Sequence, residues 1–288
     1  MTARILVPLD GSPLSDRMVG QVRRLLVREG VEVALLNVVD PRAVVPGEAS
    51  PQRAARVHLE RMAHELRAQG ARVSVHVLEG DAAEVITDQA RALNAELVAM
   101  CSHGRSGVSR LLRGSVAERV LRRCTRPVFL ATPAALDRAG PEARFGRILV
   151  PLDGSLLAEQ ILPVVSAFAR RFESEVLLLR VEWSLAAVSG PYAPDVAHLR
   201  PLAEVEASLQ PARKRLEAEE VRVRTLAAYG PEATEILDTA EREHVDLIAM
   251  STHGRSGLSR WMYGSVAEHV LRHCHRPLLV RRVVQAEG

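Results

Sequence analysis

Two kinds of position in this sequence carry groups suited to holding a ligand, and each occurs twice. The first is an aspartate that ends a short apolar run. Asp10 lies in Leu6-Val-Pro-Leu-Asp-Gly-Ser12, and Asp153 in the identical Leu149-Val-Pro-Leu-Asp-Gly-Ser155. A polar side chain at the carboxyl end of a buried parallel strand faces the crevice where such sheets take ligands. Asp, Gly and Ser also favour turns and helix N-caps, so the same residues fit a purely structural turn. The second kind is a glycine-rich stretch, Gly104-Arg-Ser-Gly107 through Gly114-Ser115, matched by Gly254 to Gly257 and Gly264-Ser265. Glycine admits positive φ and close approach of backbone amides to an anion. A helix opening at Ser115 or Ser265 presents amides that lack intrahelical acceptors. Such a stretch can cradle phosphates. Ser115-Val-Ala-Glu118 and Ser265-Val-Ala-Glu268 equally fit a capping box, which needs no ligand. Neither Gly-x-x-x-x-Gly-Lys-Ser/Thr nor Gly-x-Gly-x-x-Gly after a strand is present, which disfavours an ordinary P-loop or dinucleotide site.

Other chemistry-bearing residues have plainer explanations. His269 and His273 are one helical turn apart and stand near Cys274 and His275, a set that invites a metal reading. Their counterparts in the other repeat are Arg119, Arg123, Cys124 and Thr125, so cations suited to a helix C-terminus explain them better, and no metal is expected. Three cysteines do not make a disulfide framework. Cys124 and Cys274 fit buried small residues. Arg105, Arg110, Arg113, Arg255 and Arg260 are able to reach phosphates, although solvated loop charge is the commoner role.

The elements that must position these groups are set by an internal duplication. The aspartate motif returns at an offset of 143 residues, and the glycine stretch at 150. The additional residues of the second copy fall around Trp183 to Pro201, where Pro191, Pro194 and Pro201 predict an irregular connection. A long period seen twice means duplicated domains: residues 1–132, a linker over 133–144, and residues 145–288. In the first copy, apolar periodicity predicts strands at Arg4 to Leu9, Val31 to Val39, Arg72 to Leu78, Leu97 to Met100 and Pro127 to Ala131. Helices are expected at Pro13 to Arg28, Arg53 to Gln69, Asp81 to Leu93 and Ser115 to Arg123. Alternating strands and helices predict an α/β fold of two tandem doubly wound domains, each a five-stranded parallel sheet with helices on both faces.

Composition narrows the class. Hydrophobic residues make up 47% and charged residues 25%, which is globular, and only 3% aromatics leaves Leu, Val, Ile and Ala to build the cores. A net charge of +3 with interspersed signs and no aromatic-basic platform argues against nucleic-acid binding. With neither an export signal nor an apolar run long enough to span a bilayer, a cytoplasmic protein is expected.

The strand ending in Val-Pro-Leu-Asp-Gly-Ser, the Asn37-Val-Val-Asp40 end of the second strand, and Met-x-x-His-Gly followed by Gly-Ser together resemble the universal stress proteins over nearly all of both repeats. The resemblance is to the ATP-binding members, whose pattern is Gly-x-x-Gly-x9-Gly-Ser/Thr. It implies an adenosine pocket lined by Pro8, Asp10 and Val38 in the first repeat and by Pro151, Asp153 and Val181 in the second, with Met100 and Met250 against the base. It also implies that Gly104, Gly114, Ser115 and the Val116 amide hold phosphates, as do Gly254, Gly264, Ser265 and Val266. ATP, with Mg²⁺, is the implied ligand, at one site per repeat. The first glycine of the pattern is Cys101 in one repeat and Ser251 in the other, where a β-carbon crowds the ribose or phosphates. The resemblance further implies an intrachain pseudo-dimer paired through Val128 to Ala131 and Leu278 to Arg282, with association of two chains also open, and a regulatory or stress-response role. Two alternatives remain: a slow ATPase or adenylyl-transferring enzyme in the same pocket, and a nucleotide-free interaction module.

Overall fold

In the computed structural model, residues 4–26, 30–43, 50–102, 116–138, 144–183, 200–254 and 264–284 are described. The chain divides into two compact units, Met1–Ala143 and Arg144–Gly288. The strands of the first are β1 (Arg4–Pro8), β2 (Glu32–Val39), β3 (Arg72–Glu79), β4 (Leu97–Cys101) and β5 (Val128–Ala131). Their order is β3-β2-β1-β4-β5, and every pairing is parallel. Ile5, Leu6 and Val7 are all buried, because helices cover both faces and the central strand has no solvent side. β1 pairs with β2 on one side and with β4 on the other. The connections therefore depart in opposite directions at β1, and a crevice opens beyond its carboxyl end.

The helices of this unit are α1 (Pro13–Asp16), α2 (Met18–Leu25), α3 (Pro51–Arg67), α4 (Ala82–Ala92), α5 (Val116–Arg123) and α6 (Pro133–Arg138). The single helix expected from Pro13 to Arg28 is divided at Arg17, and its expected end at Arg28 lies outside the described residues. The Gly20 amide donates to the Arg17 carbonyl at 3.1 Å, a tight three-residue closure in place of a regular helical turn. Part of the stretch expected to be a linker is helical. Thr132 Oγ1 accepts the Ala135 amide at 3.1 Å, Pro133 opens α6, and Ala135 and Leu136 are buried. Arg17 and Asp137 add an exposed ion pair at 2.7 Å.

The second unit repeats the arrangement with β6 (Arg147–Pro151), β7 (Glu175–Glu182), β8 (Arg222–Tyr229), β9 (Leu247–Gly254) and β10 (Leu278–Val284), in the order β10-β9-β6-β7-β8. All of its pairings are parallel. Its helices are α7 (Leu162–Phe172), α8 (Leu202–Ala207), α9 (Gln210–Glu217), α10 (Glu232–Arg242) and α11 (Ser265–His273). Prolines account for two departures from the first unit. Ala158–Ile161 forms a 3₁₀ turn just ahead of Pro163, and a helix break at Ser208 and Leu209 precedes Pro211, whose missing N–H cannot continue a helical ladder. Most of the irregular connection expected from Trp183 to Pro201, Pro191 and Pro194 included, lies outside the described residues; Pro201 caps α8.

Three of the four phenylalanines cluster in the second unit. The Phe145 ring meets Phe168 and Phe172 edge-on, at 5.3 Å in each case, and is fully buried. Both tryptophans, Trp183 and Trp261, also belong to this unit, so their emission reports on it alone. Phe145→Ala should lower the stability of the unfolding transition followed by tryptophan emission by about 3–5 kcal/mol, as measured by urea denaturation.

Candidate functional site

The carboxyl ends of β6, β7 and β9 meet the starts of α10 and α11 around a cavity of about 280 Å³. Pro151, Leu152, Leu179, Val181 and Met250 give it apolar surface. Asp153, Glu232, Ser251 and Ser265 give it polar groups, and Gly264, Val266 and Ala267 complete the side formed by α11. Of the second-repeat positions singled out in the sequence, Pro151, Asp153, Val181, Met250, Gly264, Ser265 and Val266 line this one cavity. Gly254 ends β9.

Asp153 is held in a turn. Its Oδ1 accepts the Ser155 amide at 2.8 Å, and Ser155 Oγ accepts the Ala158 amide at 3.1 Å. Gly154 between them has φ +80°, a conformation an L side chain resists. The turn and ligand readings of this aspartate are compatible, since the carboxylate both organises the turn and lines the cavity.

The capping box, the ligand-free alternative at Ser265, does not form. Gly264 is the N-cap and Ser265 is already the first helical residue, with no side-chain bond to the cap. Glu268 instead forms an ion pair with Arg272 one turn on. The first helical bond runs from the Glu268 amide to the Gly264 carbonyl at 3.0 Å. The amides of Ser265, Val266 and Ala267 therefore precede the hydrogen-bonded ladder and sit on residues that line the cavity. They are donors placed for an anion.

The first unit places its counterparts at the matching strand ends. Pro8 ends β1 and Val38 lies in β2, both half-buried, while Met100 is buried in β4. Asp10 Oδ1 accepts the Ser12 amide at 2.9 Å and the Ser12 hydroxyl at 2.7 Å, and Ser12 caps α1. Val116 opens α5. Gly104, Gly114 and Ser115 lie outside the described residues, as do Arg105, Arg110, Arg113, Arg255 and Arg260. Asn37 Nδ2 donates to the Leu9 carbonyl at 2.7 Å, and Arg180, its counterpart, reaches the Leu152 carbonyl at 3.5 Å. At the start of α4, Arg119 makes bonds of 2.7 and 2.5 Å to the two carboxylate oxygens of Asp81, and this pairing holds the carboxyl below its usual range.

Cys101 is buried at the end of β4. Ser251, its counterpart, donates its hydroxyl to the Ala158 carbonyl at 3.2 Å. That donor serves the backbone. His269 and His273 stack at 4.2 Å, and His273 Nδ1 lies 2.9 Å from the His269 carbonyl. Cys274 is buried, its sulfur accepts the Arg276 amide at 3.3 Å, and burial pushes its thiol up to about 11. Among the described residues, no three histidine, cysteine or acidic side chains converge as a metal site would require. Glu232 and Ile236 are cavity residues that the repeat comparison passes over, because their counterparts give no shared polar motif: position 82 is alanine and position 86 an ordinary core isoleucine.

The family model described as the universal stress protein family matches residues 1–131 and 144–282. A universal stress protein of Methanocaldococcus jannaschii, MJ0531, is 32% identical over 141 residues, covering 48% of this chain and 83% of that protein. Rv2005c of Mycobacterium tuberculosis, also a universal stress protein, is 28% identical over 188 residues, covering 65% of this chain and 62% of its own length, so the match spans less than two thirds of that relative. A universal stress protein structure from Archaeoglobus fulgidus covers 98% of this chain and 97% of its own at a TM-score of 0.70 and 22% identity, which is a likeness of fold. No described helix is long and apolar enough to cross a membrane.

The turn and the buried thiol can each be probed by substitution or labelling. Gly154→Ala should cost about 1–2 kcal/mol in denaturant titrations, chiefly from forcing a β-carbon into positive φ. For Cys274 the neutral thiol is favoured in the folded chain, so its contribution to stability is present below the unfolded thiol pKa and is lost as pH rises through about 11. At pH 8 a disulfide-exchange reagent should label Cys274 roughly a hundredfold more slowly in the native protein than in urea.

Proposed function

The chain belongs to the universal stress protein family, and on that basis we propose that it binds adenine nucleotides, one per unit, and acts as a regulatory protein in the stress response. The observation that carries this reading is the cavity of the second unit, where apolar strand-end residues lie opposite a helix start with unladdered amides. The strand-end surface from Pro151, Val181 and Met250 suits a purine, which loses little by leaving water. The amides of Ser265 and Val266 suit a phosphate, whose oxygens they meet with the positive end of the helix dipole. The residues also fit ATP with Mg²⁺: Asp153 and Asp10 are hard oxygen donors of the kind that ion takes. When bound, the ion would offset phosphate charge. Ligand binding would shift the protein between conformations or partners by its differential affinity for them.

Calorimetric titration of nucleotide-stripped protein with Mg-ATP, with GTP as the control, tests the reading. Two ATP sites with weaker GTP binding are expected; no heat at several temperatures, together with no thermal stabilisation, would refute it. A proline at the first helical position keeps the helix but removes the amide there, and the extended backbone of Gly264 accommodates it. Ser265→Pro should therefore weaken ATP binding in the second unit about tenfold, with Ser265→Ala falling between it and the wild type.

A further inference from the structure

The two units carry different charge at equivalent positions. Glu232 is the first residue of α10 and lines the same cavity as Gly264, Ser265 and Val266. The equivalent residue in the first unit, 150 positions earlier, is Ala82, the first residue of α4. Charges near Ala82 cancel in pairs: Asp81 with Arg119 at 2.5 Å, and Glu84 with Arg123 at 2.6 Å. The matching residues of the second unit are Pro231 with His269 and Thr234 with His273, which carry no carboxylate. Each helix start thus carries two acids, Asp81 and Glu84 in the first unit and Glu232 and Glu235 in the second, but Glu232 has no ion pair among the described residues, and no lysine or arginine is found among the described residues that line its cavity.

We propose that Glu232 selects the second unit's ligand by phosphate charge, so that this site takes adenine nucleotides with one phosphate in preference to triphosphates. This deepens the adenine-nucleotide reading and rests on it. A carboxylate lining the same cavity as the helix start opposes each further negative charge brought there, while the uncharged base and ribose are indifferent to it. The first unit, with alanine at this position, lacks that discrimination.

Both tryptophans belong to the second unit, so a ligand-dependent change in their emission adds a second readout to the heat. The protein would be titrated with adenosine, AMP and ATP at pH 8 in EDTA and fixed ionic strength, following emission and heat together. AMP should bind the second unit about tenfold more tightly than ATP. Glu232→Ala and Glu232→Gln should both raise ATP affinity by about that factor and leave adenosine unchanged. Equal affinity of the wild type for AMP and ATP would overturn the proposal. So would variants that change all three ligands alike, since Glu232 would then contact a part they share. A Gln variant that behaves as wild type while Ala does not would assign the effect to a hydrogen bond and also overturn it. Heats whose affinities for all three ligands are unchanged by Glu232→Ala would likewise overturn it. Absence of both signals for every ligand would instead refute adenine-nucleotide binding itself.

Discussion

Each unit depends on a central strand that is paired on both sides and buried on both faces. β1 and β6 sit between the second and fourth strands of their own units, and Ile5 to Val7 and Ile148 to Val150 are buried throughout. Such a strand has nowhere to place a polar group until it emerges at its carboxyl end. There the chain must turn back over the sheet, and the neighbouring strands diverge to leave room. The Asp-Gly-Ser turn occupies that point in both units. Its aspartate accepts hydrogen bonds from the residue two positions on; Ser12 then caps α1 in the first unit, whereas in the second a 3₁₀ turn at Ala158–Ile161 comes before α7. The buried strand and the ligand-facing turn are therefore consequences of one arrangement.

The helix start that faces this turn from the other side owes its openness to glycine. A serine N-cap would have used its own oxygen to satisfy an amide of the first turn. With Gly264 at that position no side chain is available, and the donors of the following residues remain for whatever enters the cavity. Ser251 behaves in the opposite way: its hydroxyl lies at the cavity but is directed to the Ala158 carbonyl. Polar residues at a cavity are thus of two kinds here, those occupied in holding the strand ends and those left over for a ligand.

Duplication has kept the framework while altering its surroundings. Asn37 and Arg180 both donate to the carbonyl that follows the central strand, at 2.7 and 3.5 Å, with quite different side chains. The Asp81–Arg119 pair has been replaced by Pro231 and His269, and Ala82 by Glu232. Surface ion pairs of this exposure contribute about 0–1 kcal/mol, so their exchange leaves the fold intact and is free to alter the charge near a site.

The duplicated α/β architecture is legible along the chain, because runs such as Ile5 to Val7 have the continuous apolarity that a doubly covered parallel strand requires. Most of the second-unit residues that line the cavity are legible too, since their motif recurs in both halves. Element ends are less so. The division at Arg17 and the helix over Pro133–Arg138 depend on local closures and packing that periodicity does not register, although Thr132-Pro133 is a helix-start signal present in the sequence. Two features emerge from the folded chain alone: Gly264, not Ser265, caps its helix, and Glu232 lies at the same cavity as residues more than 30 positions later in the chain. Capping depends on the backbone angles of one residue, and the position of Glu232 on how two helices meet above the sheet. Neither leaves a period or a spacing that can be read from the order of residues.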